Sequence, residues 1–457
     1  MSEPAAGSPA PAPVSLGAAA RVWLRIGLLG FGGPAGQIAL MHRELVERRR
    51  WIDDGRFAHA LSYCMLLPGP EAQQLATYLG WLLHRTAGGV IAGALFVLPG
   101  LALVVALAAV YAAWGQVPAV ASGLLGLKAA VLALVGAALV RVGRRVLTGG
   151  VSRAIAAAAF VAAASGQVPF PLIVLAAAAI GALLLRGGAG AHAPSTAAGD
   201  GASDDTVVGQ LAAAGALAHT RPDRRRALRV LVTCVLLWAA PLVLTAALAG
   251  TGSVLWAQGL FFSQVAVVAF GGAYAILAYV GARAVGLGWL APGEMVDGLS
   301  LAETTPGPLI LVVTFVAYLG AHRDPGALSP ALAGLLGALL TAWVTFVPSF
   351  LWIFLGGPYV EAIRAQRRLG AALAGISAAV VGVMASLALW FALHVLFART
   401  APVTFGPVTL AAPVWSSAQP LVLALAVGAG LALWRRWPVP LVLALAVAAA
   451  ALARGLA

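Results

Sequence analysis

Long apolar stretches alternate with short polar turns along nearly the whole chain. The apolar segments cover 15–41, 57–83, 86–113, 117–140, 154–165 and 168–185, and after a polar stretch 229–250, 254–282, 295–319, 329–355, 370–397, 418–434 and 438–453. Most are long enough to cross about 30 Å of hydrocarbon as a helix, which takes about 20 residues. Two kinds can be told apart. Some are clean, whereas four are broken inside the apolar run: at Gly30 to Pro34, at Pro68-Gly69-Pro70, at Phe270-Gly271-Gly272 and at Pro306-Gly307-Pro308. Proline removes a backbone donor and disfavours helix in the residue before it, and glycine allows positive φ and close backbone approach. The pattern predicts discontinuous helices at these four places.

The breaks repeat in order. Phe31 and Phe270 stand 239 positions apart, Pro68 and Pro306 238, and Trp51 and Trp289 238. Pro99 and Pro348, and Gly126 and Gly375, stand 249 apart, so one insertion separates two copies of the same unit. The chain divides into a tail over 1–14, a first repeat over 15–186, a linker over 187–226, an extra helix over 227–253 and a second repeat over 254–457. The linker is rich in Gly, Ala, Ser and Asp and reads as flexible and cytoplasmic.

Composition excludes a soluble protein. Of 457 residues 61% are apolar and 9% charged, with a mean hydropathy of +0.96, where a soluble domain has about a quarter charged. The fold class is therefore an all-α polytopic membrane protein, in contact with the lipid bilayer. The net charge of +13 reads as arginine in cytoplasmic loops, with no nucleic-acid partner. Cys64 and Cys234 lie in apolar surroundings and read as small buried residues.

An odd helix between two copies with an even number of segments inverts the second copy, the arrangement of many secondary transporters. Arg141, Arg144, Arg145 and Arg153, the linker arginines, Arg364, Arg367 and Arg368, and Arg435 and Arg436 then all fall on the cytoplasmic side. This orientation puts the N-terminus in the cytoplasm and the C-terminus outside the plasma membrane. The broken segments are either full spans or re-entrant hairpins. The five arginines of 42–56 favour hairpins, although Glu44, Glu47, Asp53 and Asp54 dilute that signal.

The breaks also carry the candidate chemistry. A half-helix N-terminus offers free N–H groups and about half a positive charge, which suits an anion. The candidate substrate-binding or gating residues are Phe31, Gly32, Gly33, Pro34, Gln37, Pro68, Gly69, Pro70, Gln73, Lys128, Phe270, Gly271, Gly272, Thr304, Thr305, Pro306, Gly307 and Pro308. Lys128 lies in an apolar span, opposite Ser377 in the repeat; it either faces the anion, pairs with an acid such as Glu71 or Glu303, or snorkels. Glu71 and Glu303 are candidates for proton coupling. Other chemistry has no support. The histidines 42, 59, 84, 192, 219, 322 and 394 lack metal-ligand spacing, and neither a phosphate loop nor a nucleophile triad is visible. No cofactor, metal or enzymatic activity is expected. The abundant Gly and Ala suit close packing within one subunit or within a homo-oligomer.

Gly30-Phe31-Gly32-Gly33-Pro34, Leu67-Pro68-Gly69-Pro70-Glu71, Val268-Ala269-Phe270-Gly271-Gly272 and Ala302-Glu303-Thr304-Thr305-Pro306-Gly307-Pro308 resemble the chromate ion transporter family in its fused two-domain form. The resemblance spans nearly the whole chain, and Ala273 departs from it where the first copy has Pro34. It implies a plasma-membrane carrier that exports chromate with the proton-motive force and confers chromate resistance. The residues themselves reach only an anion-compatible secondary transporter. A sulfate or other oxyanion carrier, or a passive anion channel, fits them equally.

Overall fold

A computed structural model describes residues 14–31, 33–115, 117–185, 206–270, 273–291, 293–359, 367–405 and 408–455. The tail up to residue 13, linker residues 186–205, Arg364, Gly32, Gly271 and Gly272 lie outside the described residues.

Helices form where the apolar runs predict them, and they stop at the breaks. In the first half α1 (Leu16–Leu29) and α2 (Gly33–His42) flank the first break, and α2 runs on through a π-turn at Arg43–Arg48. Helices α3 (Asp54–Cys64) and α4 (Glu71–Trp114) flank the second, followed by α5 (Pro118–Val146), α6 (Gly150–Ala164) and α7 (Phe170–Leu184). A short α8 (Val207–Ala213) and the unpaired α9 (Arg224–Ala249) connect the halves. The second half repeats the order with α10 (Val254–Val268), α11 (Ala273–Gly286), α12 (Glu294–Thr304) and α13 (Val312–Arg323). It ends with α14 (Pro330–Gly356), α15 (Arg367–Leu396), α16 (Pro420–Trp434) and α17 (Val439–Gly455).

The broken segments are hairpins. Tyr63 and Tyr78, on opposite sides of Pro68-Gly69-Pro70, bring their rings to 5.7 Å. Gly298 lies against the Phe315 ring across Pro306-Gly307-Pro308. Phe261 and Tyr279 meet at 5.7 Å across the Phe270 break, and Arg25 lies close enough to Glu44 for their charges to interact across the first break. Residues on either side of each break therefore come together, which a continuous helix cannot do, so each pair of helices folds back as a hairpin.

α4 also folds back on itself. His84 and Arg85 leave helical geometry, Arg85 with φ 54°, and beyond them Gly88 packs on Gly80 and Gly89 on the Thr77 carbonyl. Arm 71–83 is thus antiparallel to arm 86–114. In the second copy two separate helices, α13 and α14, do the same, with Gly334 on Tyr318 and Gly337 on the Ala317 carbonyl. The repeat offset passes from 238 at Arg85 and Arg323 to 249 at Gly88 and Gly337, so the insertion falls at the longer 324–329 turn.

The halves are oppositely oriented. Gly89 faces Phe354 and Gly93 faces Phe350, so the equivalent spans, arm 86–114 and α14, run antiparallel. Each half also lends its last two helices to the other: α6 and α7 pack on α15, and α16 and α17 pack on α5. Contact is backbone to backbone where Gly181 meets Gly375 and where Gly126 meets Ala446, the close approach that small residues allow between membrane helices. Helix α9 rests on α14 and α10 and is otherwise mostly exposed, as a lipid-facing helix is.

Two features differ from the sequence expectation. The second part of the 187–226 linker is structured: the Val207 and Val208 N–H groups donate to the Arg50 and Trp51 carbonyls, and His219 sits edge-on to Trp81 at 5.2 Å. The linker composition is polar, but His219 bonds the Trp81 carbonyl at 2.9 Å and Arg226 stacks over the same ring at 5.1 Å, which holds the segment down. The second difference is a hairpin of β1 (Thr400–Phe405) and β2 (Val408–Pro413) inserted between α15 and α16.

Candidate functional site

The two halves cross at their breaks. α1 ends at Gly30 with φ −76° and ψ 60°, and α10 ends at Ala269 with φ −78° and ψ 60°. These are inverse γ-turn angles, and in each copy the phenylalanine N–H closes the turn on the carbonyl two residues back (Phe31 to Leu29 and Phe270 to Val268, both 2.9 Å). The turn frees the central carbonyl, which the Pro-Gly-Pro glycine of the other half takes. Gly307 N–H donates to Gly30 O at 3.1 Å and Gly69 N–H to Ala269 O at 2.9 Å. Both glycines have positive φ, 94° and 117°, where an L side chain is strained.

Each crossing is backed by the other half's kinked span. The residue after Pro99, Gly100, lies against Gly307 and Pro306; the residue after Pro348, Ser349, lies against Gly69. Because Gly93 faces Phe350, seven residues separate the two crossings along arm 86–114, on the order of 10 Å at 1.5 Å per residue. The two crossings, and with them the four breaks, therefore lie within about 10 Å of each other along the spans between the halves.

Polar side chains finish the lining unequally. Gln37, 1% exposed, donates to Gly307 O at 2.6 Å and Gly30 O at 3.1 Å, and its counterpart in the repeat is Ile276. Gln74 closes the first Pro-Gly-Pro loop by donating to Pro68 O at 2.7 Å. Gln73 is buried and donates to Thr77 Oγ1 at 3.2 Å. The amide oxygens of Gln37, Gln73 and Gln74 are buried with no protein partner among the described residues. Thr304 and Thr305 instead bond back to Leu301 O and Ala302 O, at 2.7 and 2.8 Å.

Helix starts lie at both crossings too. α4 begins after Pro70 and the turn into α13 begins after Pro308, and neither proline can cap the helix with its side chain. Their first N–H groups carry the partial positive charge of a helix N-terminus. Gly33, with φ 68°, and Pro34 start α2 in the same way. Phe31 is exposed and Phe270 half-buried. Glu71 opens α4, and Glu303 is buried in the last turn of α12.

Lys128 is not at the crossings. Its Nζ pairs with Asp297 Oδ1 at 2.7 Å, and Tyr111 donates to Asp297 Oδ2 at 3.1 Å. The acid opposite Lys128 is thus neither Glu71 nor Glu303. Asp297 is the one the sequence reading passed over, although a lone aspartate inside the apolar 295–319 run was a usable signal. Gly100 and Ser349 also went unread as site residues, although the Pro99/Pro348 repeat marks both. Among the described residues no cluster of three or more His, Cys, Asp or Glu could hold a metal.

The family model described as chromate transporter matches residues 18–182 and 256–453. The chain is 33% identical over 428 residues to a chromate transport protein of Pseudomonas aeruginosa, covering 91% of each chain. It is 28% identical to a chromate transport protein of Cupriavidus metallidurans, over 79% of this chain and 78% of that one. A probable chromate transport protein of Synechococcus elongatus is 27% identical over 79% of this chain and 81% of its own length. No solved structure matches the chain.

Proposed function

The chain belongs to the chromate transporter family, and we propose that it exports chromate across the plasma membrane as a secondary carrier. The observation that carries this is the reciprocal crossing of Gly307 on Gly30 and Gly69 on Ala269. It brings uncapped helix starts from both halves within about 10 Å of each other, where a tetrahedral dianion finds N–H donors and positive helix ends. Phe31 to Pro34, Pro68 to Pro70, Phe270 to Gly272 and Pro306 to Pro308 form the binding and gating loops, with Gln37 and Gln73 in the polar lining.

Two oppositely oriented halves that cross at short Gly/Pro loops suit alternating access, with rocking about the crossings. The basic stretches 42–56 and 141–153 support a cytoplasmic N-terminal face, which puts the C-terminus outside. An inside-negative membrane favours outward movement of a dianion by about 4.6 kcal/mol per 100 mV, at about 2.3 per charge. Glu71 and Glu303, at the two Pro-Gly-Pro loops, are the groups that would couple a proton to this movement. Such export lowers cytoplasmic chromate and so confers resistance.

Everted vesicles loaded by a proton gradient test the reading. Saturable uptake of radiolabelled chromate, weakly competed by sulfate, is the expected result. Equal competition by sulfate would make the protein a general oxyanion carrier, and flux without saturation would make it a channel.

A further inference from the structure

The seam between α12–α13 of the second half and α4–α5 of the first runs outward from the Gly100–Gly307 contact. Asp297 lies ten residues before Gly307 and Tyr111 eleven after Gly100, both on the order of 15 Å from the crossing at 1.5 Å per residue. Between them the Tyr111 and Phe315 rings meet at 5.2 Å. The outer end of the seam is closed by the Lys128–Asp297 ion pair, with Tyr111 donating to the same carboxylate. One turn earlier on α12, Glu294 takes Arg323 at 2.6 Å and ties the mouth of the α12–α13 hairpin shut.

A paired charge inside an apolar span is expensive, and well-packed apolar side chains usually serve stability as well or better. The duplication makes the comparison inside one molecule. At the positions equivalent to Lys128 and Asp297 the other half has Ser377 and His59, so the shared architecture forms without this pair. The charges therefore ask for another explanation.

We propose that Lys128, Asp297 and Tyr111 form the gate on the face opposite the N-terminus, and that Lys128 is a second contact for the oxyanion after the crossings. The proposal rests on the carrier reading above. With the site empty, Asp297 neutralises Lys128 and holds the seam closed. An arriving dianion attracts the ammonium and repels the carboxylate, so the substrate's own charge exchanges the partner of Lys128 and parts the two halves. Asp297 acts through Lys128 and is a positioning residue.

Counterflow and net uptake of radiolabelled chromate by the full chain in proteoliposomes test this. Asp297→Asn frees Lys128, so the half-saturating chromate concentration should fall several-fold while net turnover falls tenfold or more. Lys128→Met should raise half-saturation about tenfold, and Asp297→Glu should return both values toward wild type. The reversed pair Lys128→Asp with Asp297→Lys should reach the membrane in normal amount but stay inactive, because it offers the anion an outward-facing carboxylate on α5. Wild-type transport by the reversed pair would make the ion pair a structural tie and overturn the gate, as would turnover losses with unchanged half-saturation. Wild-type protein that exchanges sulfate but not chromate overturns the chromate reading alone, and the same variants then judge the gate on sulfate. Exchange of neither overturns both.

Discussion

The N–H of Gly307 donates to the carbonyl of Gly30 at 3.1 Å, and 238 and 239 positions away the relation is repeated by Gly69 and Ala269 at 2.9 Å. Each half supplies the donor for one crossing and the acceptor for the other. The γ-turn that ends α10 would leave the buried Ala269 carbonyl unpaired without the opposite half, at a cost of about 1–3 kcal/mol. The duplicated loops are thus a joint between the halves as well as a helix break.

The joint has no room at Gly100. A Cβ there would press into the Pro306 carbonyl, and a rigid backbone atom cannot yield. Gly100→Ala should lower the stability of the detergent-solubilised protein by about 1–3 kcal/mol, as overpacking does, read as a fall in thermal midpoint. Ser349→Ala, at the equivalent position in the other half, should cost less than about 1.5 kcal/mol, since the site already holds a side chain.

Gln37 bridges the crossing from one side only. Gln37→Leu removes the two bonds from its amide to Gly30 O and Gly307 O, leaving Gly30 O with only the Gly307 N–H, and should reduce chromate export several-fold, with a stability loss of about 1–3 kcal/mol. Ile276→Leu, at the repeat position, should leave export near wild type in the same vesicle assay.

Folded-back hairpins make a topological prediction that full spans do not share. Cysteines placed at Arg49, at Arg85 and at Thr148 should all react with a membrane-impermeant maleimide from one face. Cysteines at Gly115, Ala291 and Pro325 should react from the other. Labelling of positions 49 and 85 from opposite faces would mean that α3 and arm 71–83 cross the membrane.

Much of this was legible in the chain. Two copies, the odd helix and the four breaks all follow from spacing and from what Gly and Pro do to a helix. Hairpins were favoured over spans only by the arginines of 42–56, and the structure explains why that signal was weak: Arg48 and Arg49 both bind the buried Glu44. What the sequence could not give was which break meets which. Backbone donors and acceptors are the same for every residue, so the Gly307–Gly30 bond has no compositional trace. The Lys128 partner was misread for a related reason. Glu71 and Glu303 stand next to motifs, but Asp297 is nearer in space because the hairpin carries it beside α5.

The docked linker should respond to pH. Burial pushes the His219 imidazole below its ordinary value, and the Arg226 and Arg85 charges act in the same direction, against hydrogen bonds to the Trp81 and Ala216 carbonyls. A depressed folded value means that docking is at full strength above the ordinary imidazole pKa of about 6.5 and weakens as pH falls below it. Limited proteolysis of 206–223 should speed up between pH 7 and 5. His219→Phe, which keeps a ring against Trp81, should flatten that response.

Equilibrium binding of radiolabelled chromate to the purified full chain tests the joint as an anion site most directly, comparing wild type with Gly69→Ala and Gly307→Ala. Both substitutions place a Cβ at positive φ inside a crossing without touching a charge. Saturable binding by wild type, lost or weakened at least tenfold in both variants at matched folded protein, is the predicted result. Undiminished binding by both variants would put the chromate site away from the crossings and contradict it.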